Sequence, residues 1–375
     1  MRPPADTHRG KPRRFAIALV SALLGFFLID AAIFRSSFYP SILDPESTAG
    51  RLENIQYMEM HRRPSQHFQV LAFGDSRMGF LPHLVNDAGR ETSVEFASVA
   101  VPGSSPRCWY YQLRDLDPEA NRYRALILPV DDYDDEDQMV DPSDYVVDVN
   151  YLIGRLRLSD VFDFSGSFGT WENRWKALRG TLLKSTVYKS DFQAFLLAPA
   201  DRVKKVRLFR SGYESWYGGF SGDDGTLDGL EVNWEAASVK APPDATPAQE
   251  KVIRDVYLRP PAPQNGRLAS YRRLWFGRII DRYRGTATQV FFFRLPRGPI
   301  PRPDWMVKKQ TSSIRELAAR PNVTLLDEHT FESLERTGLF KDPLHLNSEG
   351  MKLFSRMLAD QVRPRVTGVT AHALQ

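Results

Sequence analysis

The sequence predicts an α/β fold, a three-layer sandwich around a parallel sheet, set behind one N-terminal transmembrane helix and carrying a long insertion. Three observations predict it. Short apolar runs that read as buried strands alternate with longer stretches whose apolar residues recur every three or four positions, the pattern of helical crossovers between parallel strands. Residues 15–34 are apolar almost throughout, and residues 141–265 break the strand–helix rhythm.

The tail 1–14 holds Arg2, Arg9, Lys11, Arg13 and Arg14 against Asp6 alone. It therefore carries the whole formal charge of +4, and everything after it sums to zero. A nucleic-acid partner needs a basic face on the folded part, so none is expected. In residues 15–34 the single ionisable residue is Asp30, and a helix of that length spans roughly 30 Å, the hydrocarbon thickness of a bilayer. The basic flank precedes the apolar run. By the positive-inside rule the tail is cytoplasmic and residues 36–375 lie outside, in the periplasm if the cell is Gram-negative. A cleaved signal sequence is the other reading, kept open by Ala31 and Ala32, although the run exceeds the usual signal core of about 7–15 residues. The lone cysteine, Cys108, excludes an intrachain disulfide and every multi-cysteine zinc or redox motif.

Residues 35–67 read as a connector with Pro40, Pro45 and Pro64 and a helix around 47–61. The catalytic domain is expected over 68–140 and 266–365. Its strands are 68–73, stopped by Gly74, then 94–101, stopped by Pro102-Gly103, and 125–130, followed by 289–295 and 323–326. Helices are expected at 106–116, 267–284 and 306–320, with a final one in which Met351, Phe354 and Leu358 face the sheet, capped by Asn347 or Ser348. Between them, 141–265 reads as a partly helical cap, with a Gly-rich stretch at 218–225 and a Pro-rich one at 241–247.

The chemistry sits at strand ends. Gly74-Asp75-Ser76 follows directly on the first strand, where open α/β sheets place their ligands. A serine needs a base to become a nucleophile. Among the histidines only His345 has an acid three residues before it, in Asp342-Pro-Leu-His345. Asp342 would fix the imidazole tautomer and stabilise the imidazolium formed when His345 takes the serine proton.

In these residues the chain resembles the SGNH (GDSL-type) hydrolases. That family carries Gly-Asp-Ser after its first strand, a glycine after its second, an asparagine after its third and Asp-x-x-His before its last helix. Ser76, Gly103, Asp342 and His345 follow that order over roughly residues 68–135 and 286–363. The resemblance implies an oxyanion hole built from the N–H groups of Ser76 and Gly103, with the asparagine as third donor. No asparagine follows the third strand here; Asp131 and Asp132 stand there instead. An ionised aspartate would repel an oxyanion, so these residues must be protonated, point away or serve another partner. A missing asparagine and a membrane anchor are also similar to the divergent SGNH-like proteins of alginate O-acetylation and teichoic acid D-alanylation. Those act outside the membrane and accompany a multi-pass membrane O-acyltransferase.

Other features keep two readings each. The acidic run 131–137 suggests calcium but lacks the glycine and closing glutamate of an EF-hand, which favours a solvated loop. Arg294, a charge in an apolar strand, either reaches the site to bind an anionic substrate or ends the strand at the surface. Trp171, Trp175, Trp216, Tyr217 and Trp234 are either sugar-stacking platforms or, as preferred, core of the cap. The expected function is extracytoplasmic acyl transfer through Ser76, His345 and Asp342 onto a cell-surface polysaccharide or other envelope polymer, with no cofactor and no metal. The alternatives are a carbohydrate esterase and a non-catalytic polysaccharide-binding accessory protein.

Overall fold

The computed structural model describes residues 11–36, 38–63, 67–78, 94–135, 145–218, 229–233, 238–252, 267–298, 311–342 and 344–368. The chain divides into two compact units: Met1–Glu53 with Val149–Arg207, and Asn54–Asp148 with Leu208–Gln375.

The larger unit contains a five-stranded, all-parallel sheet. Its strands are β1 Phe68–Ala72, β2 Val94–Ser98, β3 Ala125–Val130, β6 Gln289–Arg294 and β7 Val323–Leu325, and β4 Glu231–Asn233 with β5 Ser238–Lys240 forms a separate antiparallel pair. The order across the large sheet is β2-β1-β3-β6-β7. Strand order reverses between β1 and β3, and in doubly wound sheets the crevice beyond that switch point is where ligands sit.

Alternation along the strands separates two faces. On one, Val70, Ala72, Phe96, Ile127, Phe291 and Phe293 pack with Phe354, Leu358 and Val362 of the final helix, Ser348–Thr367. On the other, Phe73 meets Trp109 of the helix Pro106–Leu116, and Phe292 meets Phe276 of the helix Arg267–Arg282 with ring centroids 5.0 Å apart. Helices therefore flank both faces. Pro129 lies within a central strand, where a missing N–H normally costs a ladder bond. The pairing of β3 with β1 ends at Ile127, so the proline falls just past it.

The expected helix at 306–320 is shorter among the described residues. It runs Ser313–Ala318 because Ser312 caps it, accepting from the Arg315 N–H, and residues 306–310 lie outside the described set. Asn347, rather than Ser348, caps the final helix, accepting from the Gly350 N–H at 2.9 Å.

The smaller unit begins with a helix, Lys11–Phe34, long and apolar enough to cross a membrane. Its last turn packs into a cluster in which Phe34 meets Tyr39, Tyr188 and Phe192. The Tyr39 hydroxyl donates to Asp191 at 2.6 Å, and Arg202 pairs with the same carboxylate.

Candidate functional site

The site lies within the larger unit, at the carboxyl ends of β1 to β3. Past β1 the backbone turns at Gly74, whose φ of 146° is a conformation side chains rarely adopt; a Cβ there would lie 2.4 Å from Met78 Cγ. Asp75 closes the turn by accepting the Arg77 N–H on its carboxylate. This presents Ser76 to His345, with Ser76 Oγ 2.7 Å from His345 Nε2.

Behind the imidazole, Nδ1 lies 2.8 Å from Asp342 Oδ2, and Asp342 Oδ1 accepts the N–H groups of Leu344 and His345, each at 2.8 Å. Burial alone would raise this carboxyl, but the hydrogen bond from His345 and the backbone donors outweigh it and hold the group below the ordinary carboxylate range. An ionised Asp342 places the proton on Nδ1. Nε2 is then the acceptor for the Ser76 hydroxyl. Pro343, between Asp342 and His345 in sequence, lies outside the described residues.

Past β2, Pro102-Gly103 forms a tight turn closed by Ser104 N–H to Val101 O at 2.9 Å, with Gly103 at φ 73° as a type II turn requires. The turn is tied to the first loop. Val101 N–H and the Ser104 hydroxyl both donate to Gly74 O at 3.0 Å, and Trp109 Nε1 donates to Ser104 at 2.9 Å. Among the described residues, no protein acceptor takes the N–H of Ser76 or of Gly103.

Asp131, the first residue past β3, is bound by Arg77 at 2.6 Å, while the same guanidinium grips Asp75 at 2.7 Å. Burial works against both Asp75 and Arg77, yet the mutual attraction wins: the Asp75 carboxyl is held below its usual range and the Arg77 guanidinium above its own. Asp131 thus serves another partner. Its charge is answered before it can oppose an oxyanion.

The other two sequence candidates do not reach the cleft. Asp132 is buried, pairs with Arg297 and accepts the Asp134 N–H. Arg294, also buried, donates to Glu328 O at 2.8 Å and pairs with Glu335, so it neither meets substrate nor ends the strand at the surface. Nor is the acidic run simply a solvated loop. Asp134 pairs with Arg315 and Asp135 with Arg272, so each carboxylate from 131 to 135 has its own arginine; residues 136 and 137 lie outside the described set. Trp171 and Trp175 are exposed rather than packed in a core, and the side chains of Trp216, Tyr217 and Trp234 lie outside the described set.

The cleft measures about 350 Å³, room for a sugar ring or a short acyl ester, and Ser76, Gly103, Asp131 and His345 line it with Arg77, Trp109, Tyr145 and Tyr271. The last four were missed by sequence reasoning; only Arg77, adjoining the nucleophile motif, gave a signal. Beneath the floor, Ser105 accepts from the Tyr271 hydroxyl and donates to the buried Asp148, which pairs with buried Arg107. Burial raises the Asp148 carboxyl despite that pairing. It also pushes the Cys108 thiol up, leaving it a poor nucleophile. No protein-family model matches the chain, and no curated protein matches it.

Proposed function

We propose that the protein is a membrane-anchored serine acyltransferase of the SGNH type, acting outside the membrane on a polysaccharide or another hydroxyl-bearing envelope polymer. The observation that carries this reading is the continuous hydrogen-bonded chain from Ser76 through His345 to Asp342, opening on a cleft at the sheet's switch point. His345 Nε2 takes the Ser76 proton as Oγ bonds to the carbonyl carbon of an acyl donor. The N–H groups of Ser76 and Gly103 receive the negative oxygen, each such donor lowering a barrier by about 3–4 kcal/mol. The carbonyl–oxygen bond to the donor then breaks, and the departing oxygen takes the proton from His345.

In the second half an acceptor hydroxyl gives its proton to His345 and attacks the acyl-serine, which regenerates Ser76. Tyr145, part-exposed on the cleft wall, offers a plane against which a sugar ring can stack, supporting a carbohydrate acceptor over water. Arg77 stands where a third donor is wanted. Three of its five N–H groups go to Asp75 and Asp131, leaving one on each terminal nitrogen for a substrate oxygen. Export of the domain follows from the basic tail before the apolar helix, and a multi-pass membrane O-acyltransferase is the proposed source of the acyl group.

The test is intact-mass and peptide spectrometry of the full-length protein in detergent after incubation with an activated aryl acetate. An acetyl group on Ser76, absent from Ser76→Ala, is expected. No adduct, or one that survives the substitution, overturns the mechanism in favour of a non-catalytic binding protein.

A further inference from the structure

The smaller unit ties its helices to the exit of the apolar helix through charged residues that meet helix termini. Asp30 stands four residues before the end of that helix, about 6 Å at 1.5 Å per residue. A carboxylate at that depth needs partners. It is 2% exposed, and its two oxygens accept the N–H groups of Lys184 at 3.1 Å and Ser185 at 2.7 Å, at the start of the helix Ser185–Leu197. One residue past the apolar helix, Arg35 donates to the carbonyls of Thr181 and Leu182, the last of the helix Trp171–Leu182. Negative charge therefore meets an N-terminus and positive charge a C-terminus, each satisfying backbone groups the helix cannot pair itself. The turn 181–185 is fixed level with residues 30–35, where the apolar run ends.

The helix that reaches this turn has two unlike faces. Ala177, Gly180 and Thr181 are buried. Opposite them Trp171, Trp175, Leu178 and Leu182 fall within about 60° of one another at 100° per residue, and Trp171 is 78% exposed and Trp175 53%. Phe162, on the short helix packed against this one, is 83% exposed. Arg174 and Arg179 flank the stripe, while Lys176, farther round the helix, is paired with Glu172. Tryptophan over an aliphatic stripe with cationic flanks is the composition of a helix lying in a membrane interface. The Leu182 end of the stripe adjoins the turn that Asp30 and Arg35 hold, next to exposed apolar residues of the anchor such as Ile29, so lipid that covers one meets the other.

We propose that the helix Trp171–Leu182 lies in the lipid headgroup boundary, with Trp171, Trp175 and Leu182 facing the acyl chains, and that the N-terminal helix is a retained, integral part of this unit. Cleavage after Ala31 or Ala32 would discard Asp30 and strip the next helix of its cap. The inference is independent of the acyl-transfer reading. It can fail while Ser76 chemistry stands, and the converse also holds.

The test places a nitroxide at Trp171→Cys, Trp175→Cys and, as control, Asp360→Cys on the exposed face of the final helix. Each is made in the full-length chain reconstituted into phosphatidylethanolamine–phosphatidylglycerol vesicles; native Cys108 is buried and takes no label. The logarithm of the ratio of oxygen to water-soluble nickel-complex collision rates is expected to be positive at 171 and 175 and negative at 360. A negative value at both tryptophan positions overturns the proposal. So does an immobilised label reached by neither quencher, which marks a protein surface there instead of lipid.

Discussion

Asp342 does two jobs with one carboxylate. It accepts the backbone N–H groups that shape its own turn, and it holds the proton of His345 on Nδ1. Asp342→Asn keeps the volume but can donate to Nδ1, which moves the imidazole proton to Nε2 and removes the acceptor for Ser76. On the proposed mechanism, acyl-enzyme formation is expected to fall by about 10⁴-fold, the drop known for the equivalent change in a serine-protease triad, with substrate affinity little altered. Single-turnover kinetics checks this. Ser76, His345 and Asp342 were legible because each belongs to a short motif at the end of an element, where three or four consecutive residues set the geometry. Arg77 was not, because its role depends on Asp131 arriving from another strand. Arg294 was misread for a related reason: a charge in an apolar strand announces a partner, and only the fold shows that the partner is Glu335.

Among the elements, the loop after β1 tolerates little change. Gly74 combines a backbone angle closed to other residues with a side-chain space already filled by Met78. Gly74→Ala is expected to cost about 1–3 kcal/mol in backbone strain and about as much again in crowding. Denaturant unfolding should show the loss, and the displaced Ser76 should lose acylation even in molecules that remain folded. The five parallel strands were readable from apolar runs, three stopped by Gly or Pro and two by an aspartate, since a sheet covered on both faces leaves no polar alternation to blur them. Pairing of the acidic run was not readable. Its arginines, at 77, 297, 315 and 272, are distant in sequence and meet it only once the sheet is assembled.

At the scale of the molecule, the carboxylates around the site link stability to acid. Asp75 and Asp342 titrate below their ordinary range when folded. Each therefore contributes stability that is complete above the unfolded value of about 3.9 and drains away as pH falls below it toward the folded value. Asp148, raised by burial, works in the opposite sense and at higher pH: its ionisation opposes the fold as pH climbs from the unfolded value of about 3.9 through the raised folded value. Of the three, the depressed pair governs below about pH 3.9, so the denaturation midpoint should drop as pH falls below about 4, and Asp75→Asn should flatten that slope. The overall charge distribution was plain from the sequence, because the basic tail holds the whole excess. The grouping of 149–207 with the N-terminal segment was not, since it depends on Asp30 and Arg35 meeting helix ends about 150 residues away.

The walls of the cleft beside Ser76 arrive on separate segments: Gly103 after β2, Asp131 after β3, Leu295 after β6 and His345 ahead of the final helix. The buried strands beneath them pair by backbone and pack by shape, indifferent to what those segments carry. Selection can therefore rewrite one wall of the cavity at a time, which on the proposed mechanism would exchange the acyl group or the acceptor it admits, while Ser76 and His345 stay in register.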